Sequence, residues 1–373
     1  MSRMKVGLVL PGGVDRTGID RVIPALLWLI ERLARRQDVH VFATRQEPKP
    51  STWDLLGARV HNVGTARGTA RRLLARFAGE HARARFDVVH AFFGVCGTYA
   101  AFMRWRCGVP VVFHAAGGEF VTMTDVDYGM GGTWRGRVAR RLAIAGAQRV
   151  TVATPEMRRL AGTHGVDAAI VPLGVALDRW PVAEPRHRDL ARPFRLLHVG
   201  DLRPVKDQET LIGAAVALRN ERVPFELDIV GLDTLGGALQ RSAPALSLGD
   251  SVRWHGVLRR EPLRALMDQA DLLIVSSRHE AGPLVVLEGA VAGVPTVGTA
   301  VGHVAEFAPN AAVAVPVGDA SALAHEIAAL ATNEPRRLLL AREAQRRAVA
   351  IDADYTASAF EAIYEEIRST SRR

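Results

Sequence analysis

Short apolar segments alternate with longer amphipathic segments along this chain, and that alternation limits the possible fold more than any other feature. The apolar runs of the first half are KVGLVLP (5–11), DVHVFAT (38–44), DVVHAFF (87–93), VPVVFHA (109–115) and RVTVAT (149–154). Helical patterns lie between them, for example over residues 22–36 and 68–85. Alternation of this kind predicts βαβ units and a parallel sheet covered on both faces. The predicted fold class is therefore α/β.

The alternation stops once and then starts again. Residues 172–193 contain four prolines and several arginines without clear periodicity, which is typical of a linker. Four further runs follow, FRLLHVG, FELDIVG, DLLIVSS and VPTVGTA, with helical patterns from about residue 320. A chain of 373 residues exceeds what one core usually serves. The sequence predicts two α/β domains with a ligand cleft between them, beyond the carboxyl ends of the strands.

Composition narrows the functional classes. Two cysteines, Cys96 and Cys107, argue against a disulfide framework and favour a reducing compartment, and no Cys/His cluster has zinc spacing. No apolar run is long enough for a membrane span. Lys and Arg outnumber Asp and Glu by 48 to 39, a net charge of +9. This excess favours an anionic partner such as a nucleotide, a phospholipid surface or a nucleic acid, or it serves solubility alone.

The loop after the first strand, PGGVDRTG, could approach a ligand closely. Its glycines, Gly18 among them, tolerate unusual backbone angles, although the same residues suit a simple turn. The loop lacks G-x-G-x-x-G spacing, and Arg45 ends the second strand where an NAD enzyme would place an acid. A dehydrogenase is therefore not expected.

The loop in VGDLRPVKDQETLIGAA places two cations close to a helix start. Arg203 and Lys206 lie between a strand and an amphipathic helix. Two cations beside the positive end of a helix form a diphosphate site. A solvated surface loop would have the same composition.

The segment SRHEAGPLVVLEGAVAGVP places two glutamates around a helix start. Pro283 suits the first turn, so Glu280 precedes the helix and Glu288 lies about one turn inside it. A carboxylate in such an apolar run is costly without a partner. Neighbouring hydroxyls of a ribose or sugar would supply one, and so would an arginine. The first-turn amides, around Leu284 and Val285, suit phosphate oxygens.

Several segments, in order along the chain, carry a resemblance to one family. Glu280, seven further residues and Glu288, followed by AVAGVPTVGTAVGHVAE, resemble its Glu-(seven)-Glu signature. The segment TGIDRVI, which contains Gly18, resembles the glycine loop of that family. The segment VVFHAAGGE, which contains His114, resembles its segment with a histidine near the sugar, and VGDLRPVKD, which contains Lys206, resembles its phosphate loop. The family is the retaining glycosyltransferases of family 4, within glycosyl transferases group 1, and the resemblance covers nearly the whole chain.

The resemblance implies the GT-B architecture, in which two Rossmann-like domains face each other across a cleft. An acceptor-binding domain would span residues 1–175, a linker 176–193 and a nucleotide-sugar-binding domain 194–352. A C-terminal helix, 353–373, would pack back toward the first domain. The chain departs from the family at Asp201, where an arginine is usual and Arg203 is the candidate substitute, and at Thr17, which replaces a glycine.

The resemblance also implies a reaction. A sugar would move from a nucleotide diphosphate sugar, a UDP- or GDP-sugar, to a hydroxyl of a glycan, a lipid-linked glycan or a small molecule, with its anomeric configuration retained. The cations of the phosphate loop would stabilise the departing diphosphate. Glu288 would hold the ribose and Glu280 the donor sugar. His114 would reach the sugar from the first domain, unless it is a core histidine at a strand end.

No metal and no cofactor are expected, and the nucleotide sugar is a co-substrate. No nucleic-acid partner is expected either. A D-x-D pair, Asp125 and Asp127, holds a metal and diphosphate in glycosyltransferases of a different fold, but here it lies away from the donor motifs. Two alternatives stay open. One is a glycoside hydrolase that uses Glu280 and Glu288 as its two carboxyl groups, and the other is a non-catalytic nucleotide-sugar-binding module.

The protein is expected to be cytoplasmic and to act in polysaccharide biosynthesis. A peripheral contact with the inner face of the membrane is a further hypothesis. Between residues 67 and 85 lie six arginines and one acid, Glu80. Leu73, Leu74 and Phe77 share the other face at helical spacing. A basic amphipathic helix can lie on anionic lipid, or it can cover a sheet with its apolar face.

Overall fold

The computed structural model of the protein describes residues 3–242, 246 and 248–371. The chain divides into two compact units. The first holds residues 1–174 together with 353–373, and the second holds residues 175–352. Residues 175–193 form neither helix nor strand, and they belong to the second unit.

Within the described residues, the first unit contains a sheet of eight strands. The strands are β1 (Lys5–Leu10), β2 (Asp38–Ala43), β3 (Ser51–Leu55), β4 (Ala58–Asn62), β5 (Val88–Phe92), β6 (Val111–Ala115), β7 (Arg149–Val152) and β8 (Ala168–Ile170). Their order is β3-β4-β2-β1-β5-β6-β7-β8, and neighbours are parallel except in the β3–β4 hairpin. The five strands predicted for this half are confirmed as β1, β2, β5, β6 and β7.

Helices connect these strands and cover the sheet. They are α1 (Pro24–Arg36), α2 (Thr69–Arg83), α3 (Gly94–Cys107), α4 (Trp134–Gly146) and α5 (Pro155–Thr163). Helix α1 begins at Pro24, directly after Ile23, because proline has the φ of a first helical turn and lacks the N–H that would be unpaired there.

Helix α2 is the basic amphipathic helix of the sequence. Leu73 and Phe77 are buried in a core cluster with Phe42 and Phe86, and Leu74 packs against it. The apolar side of α2 therefore covers the sheet, and this side is not available to lipid. Of the two alternatives that the sequence left open, the structure has the second.

The second unit contains a parallel sheet of six strands within the described residues. Its strands are β9 (Phe194–Val199), β10 (Phe225–Val230), β11 (Val252–Gly256), β12 (Leu272–Val275), β13 (Thr296–Thr299) and β14 (Ala312–Val315). The helices that follow are α6 (Gln208–Asn220), α7 (Ala238–Ser242), α8 (Arg260–Gln269), α9 (Leu284–Val291), α10 (Gly302–Phe307), α11 (Ala320–Thr332), α12 (Glu334–Ala350) and α13 (Ala353–Ser371). The last of these, α13, belongs to the first unit.

The strand order of the second unit, β11-β10-β9-β12-β13-β14, reverses its direction between β9 and β12. The loops that leave the carboxyl ends of these two strands therefore diverge to opposite sides. Open α/β sheets bind ligands at such a switch point. The loops after β9 and β12 are the two that carry Lys206 and Glu280.

Helix α13 is held in the core of the first unit by its aromatic side chains. Phe360 and Tyr364 are fully buried in the cluster that includes residues of β1 and α1. The Tyr364 hydroxyl lies 2.6 Å from Nδ1 of His90. None of the helices formed by the described residues is long and apolar enough to cross a membrane.

Candidate active site

The loop after β9 is held in a fixed shape by its neighbour after β10. Gly231 has a φ of 155°, and a Cβ there would lie 2.0 Å from the carbonyl oxygen of Gly200, so only glycine permits this approach. The backbone N–H of Leu232 donates to Oδ1 of Asp201 at 3.2 Å. Asp201, which stands where the family has arginine, therefore fastens the two loops together.

The cations of this loop differ in their surroundings. Residues 204–206 form a 3₁₀ turn, and Asp207 then caps α6 by accepting from the N–H of Thr210. Lys206 is partly buried within the site, whereas Arg203 is exposed. The structure thus places one of the two predicted cations inward and one at the surface.

The loop after β12 meets the loop after β9 at Lys206. The Lys206 ammonium lies 2.5 Å from Oε1 of Glu280, and the Ser277 hydroxyl donates to the same oxygen at 2.6 Å. The Ser276 hydroxyl donates to the Lys206 carbonyl at 2.9 Å, and the Arg278 N–H donates to the Val205 carbonyl at 2.8 Å. These contacts join two predicted site residues that lie far apart in the sequence.

Glu288 is a buried acid of the second unit with a strongly shifted pKa. It lies inside α9 and is only 8 % exposed. Burial raises its pKa to about 7, because a charged carboxylate is poorly stabilised away from water. No described residue pairs with its carboxylate or hydrogen-bonds to it, so the arginine partner that the sequence allowed is not found. The Trp180 indole donates at 2.8 Å to the backbone carbonyl of this residue and anchors the segment 175–193.

The start of α9 borders the same loop. Leu284 and Val285 supply the first-turn amides, which have no intrahelical acceptor. Gly302 opens α10 against this loop, where a Cβ would lie 2.7 Å from Pro283 and 3.0 Å from Glu280. Neither Gly302 nor Ser277 was predicted as part of the site. Gly302 belongs to the segment that carries the family resemblance, and Ser277 lies three residues before that segment begins at Glu280.

His114 lies in the core of the first unit. Its ring is fully buried on β6, beside the rings of Phe92 and Phe360. Its Nδ1 lies 2.9 Å from the Thr151 hydroxyl, and burial lowers its pKa to about 3. The predicted contact with a donor sugar stays a prediction. Gly18 forms a turn, with a φ of 66° and an N–H donating to the Asp15 carbonyl at 2.9 Å.

One buried carboxylate at the carboxyl edge of the first unit was not predicted. Glu119 accepts from the N–H of Gly94 at 2.9 Å and from that of Gly117 at 2.8 Å. Burial raises the pKa of its carboxyl group. These bonds tie the loop after β6 to the start of α3, where Phe93 has the rare φ of 68°. The signal was the acid that ends the segment VVFHAAGGE.

Among the described residues, one group of three side chains has the donors for a metal ion. His40, His61 and Glu80 have ligand atoms within 4.8 Å of one another. The Arg76 guanidinium lies 2.9 Å from Nδ1 of His61 and 3.2 Å from Glu80, which also pairs with Arg83. Two guanidinium groups already neutralise this carboxylate and would repel a dication. We interpret the group as a hydrogen-bonded chain, in which Nδ1 of His40 lies 3.0 Å from Nε2 of His61.

Comparisons with known proteins identify the family of the chain. The family model for "Glycosyl transferases group 1" matches residues 185–347, and that for "Glycosyl transferase 4-like domain" matches residues 22–174. The D-inositol 3-phosphate glycosyltransferase of Salinispora tropica is 30% identical over 327 residues, which cover 80% of this chain and 67% of that protein.

Solved structures share the fold over nearly the whole chain. Sucrose-phosphate synthase from Thermosynechococcus elongatus superimposes with a TM-score of 0.84 at 20% identity, covering 99% of this chain and 100% of that one. Anabaena HepE in complex with UDP-glucose gives a TM-score of 0.76 at 18% identity, covering 98% and 100%. The chain is therefore a glycosyltransferase of the GT-B fold and belongs to the glycosyl transferases group 1 family.

Proposed function

We propose that the protein transfers a sugar from a nucleotide diphosphate sugar to an acceptor hydroxyl, with the anomeric configuration retained. The observation that carries the proposal is the meeting of Lys206, Ser277 and Glu280 at the switch point of the second sheet. Glu288 adds a buried carboxylate in the helix that follows. The structural neighbour HepE, solved with UDP-glucose, supports a donor of this class.

The ion pair between Lys206 and Glu280 suggests how the donor is held. Lys206 and Glu280 now satisfy each other at 2.5 Å. A bound donor would offer diphosphate oxygens to the ammonium group and sugar hydroxyls to the carboxylate, so each partner would gain a ligand group of matching character. The fixed ammonium and the first-turn amides at Leu284 and Val285 would then stabilise the charge that grows on the leaving diphosphate.

Glu288 would accept hydrogen bonds from the two ribose hydroxyls. The raised pKa of about 7 supports this role, because the buried carboxyl group has no described partner and a diol would supply the missing donors. Arg203 would add a second cation at the rim of the diphosphate site. His114, whose Nε2 has no hydrogen-bond partner among the described residues, stays our proposed ligand of the donor sugar, and Gly18 a proposed nucleotide-binding residue. The hydrolase and binding-module alternatives are set aside, because the chain is a glycosyltransferase.

A donor panel tests the proposal. UDP-, GDP- and ADP-sugars, with the free nucleotides, are screened by thermal shift and then by turnover. A ligand at a hundred times its dissociation constant stabilises the folded state by about 2.7 kcal/mol, which is a clear rise in Tm. The first acceptor is D-inositol 3-phosphate, after the name of the Salinispora tropica relative. NMR of the product gives the anomeric configuration, and an inverted product or no stabilising donor would contradict the proposal.

Activity should not depend on a metal ion. Lys206 and the α9 amides are proposed to supply the charge that a metal would supply in a D-x-D site. We expect turnover to persist in EDTA and to be unchanged when Asp125 and Asp127 are replaced with asparagine. Loss of turnover in EDTA that manganese restores would refute the prediction and would return attention to those two aspartates.

A further inference from the structure

Helices α3 and α4 expose large apolar side chains to solvent. Phe102 is 43 % exposed and Trp105 52 %, and their rings pack edge to face at 5.3 Å. Trp134 on α4 is 64 % exposed. Val95 and Val138 are also exposed. A folded protein seldom leaves several large aromatic side chains on one surface without a partner for them.

The two helices form one surface because they pack directly on each other. The Thr98 hydroxyl donates to the Ala139 carbonyl at 2.9 Å, and the Arg104 guanidinium donates to the Gly146 carbonyl at 3.1 Å. Small residues line the contact, since a Cβ added at Gly146 would lie 2.2 Å from that of Ala101. The facing sides are thus occupied by the neighbouring helix.

The exposed residues follow helical spacing on the sides that remain. On α3, Val95, Phe102 and Trp105 are separated by seven and three residues, and on α4 Trp134 and Val138 by four, so each set shares a stripe. The core side of α3 carries other residues. These are Cys96, Ala100 and Met103, all buried in the same cluster as Phe77.

Every charged residue on these two helices is an arginine. They are Arg104, Arg106, Arg135, Arg137, Arg140 and Arg141, and neither 94–107 nor 134–146 contains an acid. No described carboxylate forms an ion pair with any of the six. The guanidinium of Arg135 lies over the Trp134 ring, 5.5 Å from its centroid. The surface therefore combines uncompensated positive charge with exposed aromatic rings.

We propose that this α3–α4 surface binds the face of an anionic phospholipid bilayer. Tryptophan and phenylalanine partition into the interface between headgroups and acyl chains, and arginines beside them contact lipid phosphates. A second copy of the chain is a poorer occupant, because pairing the surface with itself would bring six arginines against six. The inference does not depend on the donor or acceptor of the reaction.

The membrane contact is thereby assigned to a different surface from α2, where the sequence had suggested it. Leu73 and Phe77 of α2 are buried in the core, and Arg76 and Arg83 are already paired with Glu80. On α3 and α4 the aromatic rings are exposed and the arginines lack acidic partners. Helix α2, which is also rich in arginine, therefore serves as a control for the membrane-binding test.

Sedimentation with vesicles tests the proposal. The full chain should sediment with vesicles that contain phosphatidylglycerol, not with phosphatidylcholine alone, and less at high salt. The double variant W105S/W134S should lower the partition coefficient roughly tenfold or more, since it removes the two most exposed aromatic side chains of the surface. The variant R106S/R141S should lower it roughly 25-fold, at about fivefold per basic residue.

Matched controls keep the test specific. The first control is R71S/R83S on α2. The second is L339S, which removes a side chain that is 66 % exposed on α12. Both should leave the partition coefficient within about twofold of the wild-type value. Each variant must keep the wild-type melting curve. Equal loss of binding in the α2 variant would overturn the proposal. Sedimentation of W105S/W134S to the same extent as the wild type would also overturn it. Self-association of the wild type without lipid, abolished in W105S/W134S, would instead assign the surface to a second copy of the chain.

Discussion

Replacing Glu288 with glutamine is expected to stabilise the ligand-free protein at neutral pH. In the folded state the pKa of this carboxyl group is about 7, against an ordinary value of 4.5. Between these values the unfolded chain has lost the proton and the folded chain keeps it, so the free energy of unfolding falls as pH rises. The difference corresponds to about 3 kcal/mol. Glutamine is neutral at every pH and does not incur this cost.

Chemical denaturation at pH 5 and pH 8 measures the effect. The wild-type protein should lose about 2.5 kcal/mol more between these pH values than Glu288→Gln does, because pH 5 already lies slightly above the unfolded pKa. Glu365→Gln, which changes an exposed glutamate on α13, should behave as the wild type. A glutamine variant that is less stable than the wild type at pH 8 would mean that the carboxylate has a structural partner instead.

The same substitution should weaken nucleotide binding. A hydrogen bond to a charged group contributes about 1.5 to 3 kcal/mol, so calorimetry should show roughly a tenfold to hundredfold loss of affinity for the free nucleoside diphosphate. Wild-type affinity should rise with pH through about 7, because the ionised carboxylate accepts from both ribose hydroxyls. Glu288→Gln should lack that dependence. Unchanged affinity would remove the ribose assignment.

Gain in stability with loss of affinity is the signature that separates a binding residue from a structural one. When a structural glutamate is replaced, the protein loses both stability and affinity, because the fold around that position relaxes. Glu288 is expected to move them in opposite directions. A role in binding the nucleotide would explain why a carboxylate is retained in the apolar run LVVLEGAV.

Local patterns predicted the strands that lie near the site. Several predicted runs, such as KVGLVLP and DLLIVSS, are largely apolar, as a strand buried on both faces of a parallel sheet requires. The run FELDIVG is different, because its strand β10 is only partly buried at Glu226 and Asp228. Strands β3 and β4 were not predicted. Strand β3 alternates buried and exposed residues, β4 carries the polar residues Arg59, His61 and Asn62, and the two are joined through Leu56 and Gly57, both with positive φ. Leucine gives no signal for such a turn.

Long-range pairings explain what the sequence left open in the site. Lys206 and Glu280 were each predicted to bind the donor, but their 2.5 Å contact depends on β9 and β12 being neighbours. The partner of Asp201, the N–H of Leu232, depends in the same way on β10. The burial of His114 depends on α13, which returns from the far end of the chain.

Replacing Lys206 with methionine is expected to reduce turnover by roughly a hundredfold to a thousandfold, the usual cost of losing one preorganised charge-stabilising group. Methionine preserves most of the apolar stem. Nucleotide diphosphate affinity should fall as well, because the ammonium group is proposed to bind the diphosphate in both the bound and the reacting state. Arg203→Ala is the matched comparison, since Arg203 is exposed on the same loop, and its loss should be smaller.

Glu280→Gln should differ from Lys206→Met in its effect on nucleotide affinity. Turnover should fall, because the donor sugar loses its acceptor, while affinity for the free nucleoside diphosphate should stay the same or rise. The reason is the 2.5 Å contact: without the carboxylate, the ammonium group has no competing anion in the empty site. The double variant should then fall less in turnover than the two single losses predict, because residues in direct contact are not additive. Additive losses, or a nucleotide affinity that falls equally in both single variants, would show that the two side chains do not divide the donor between them.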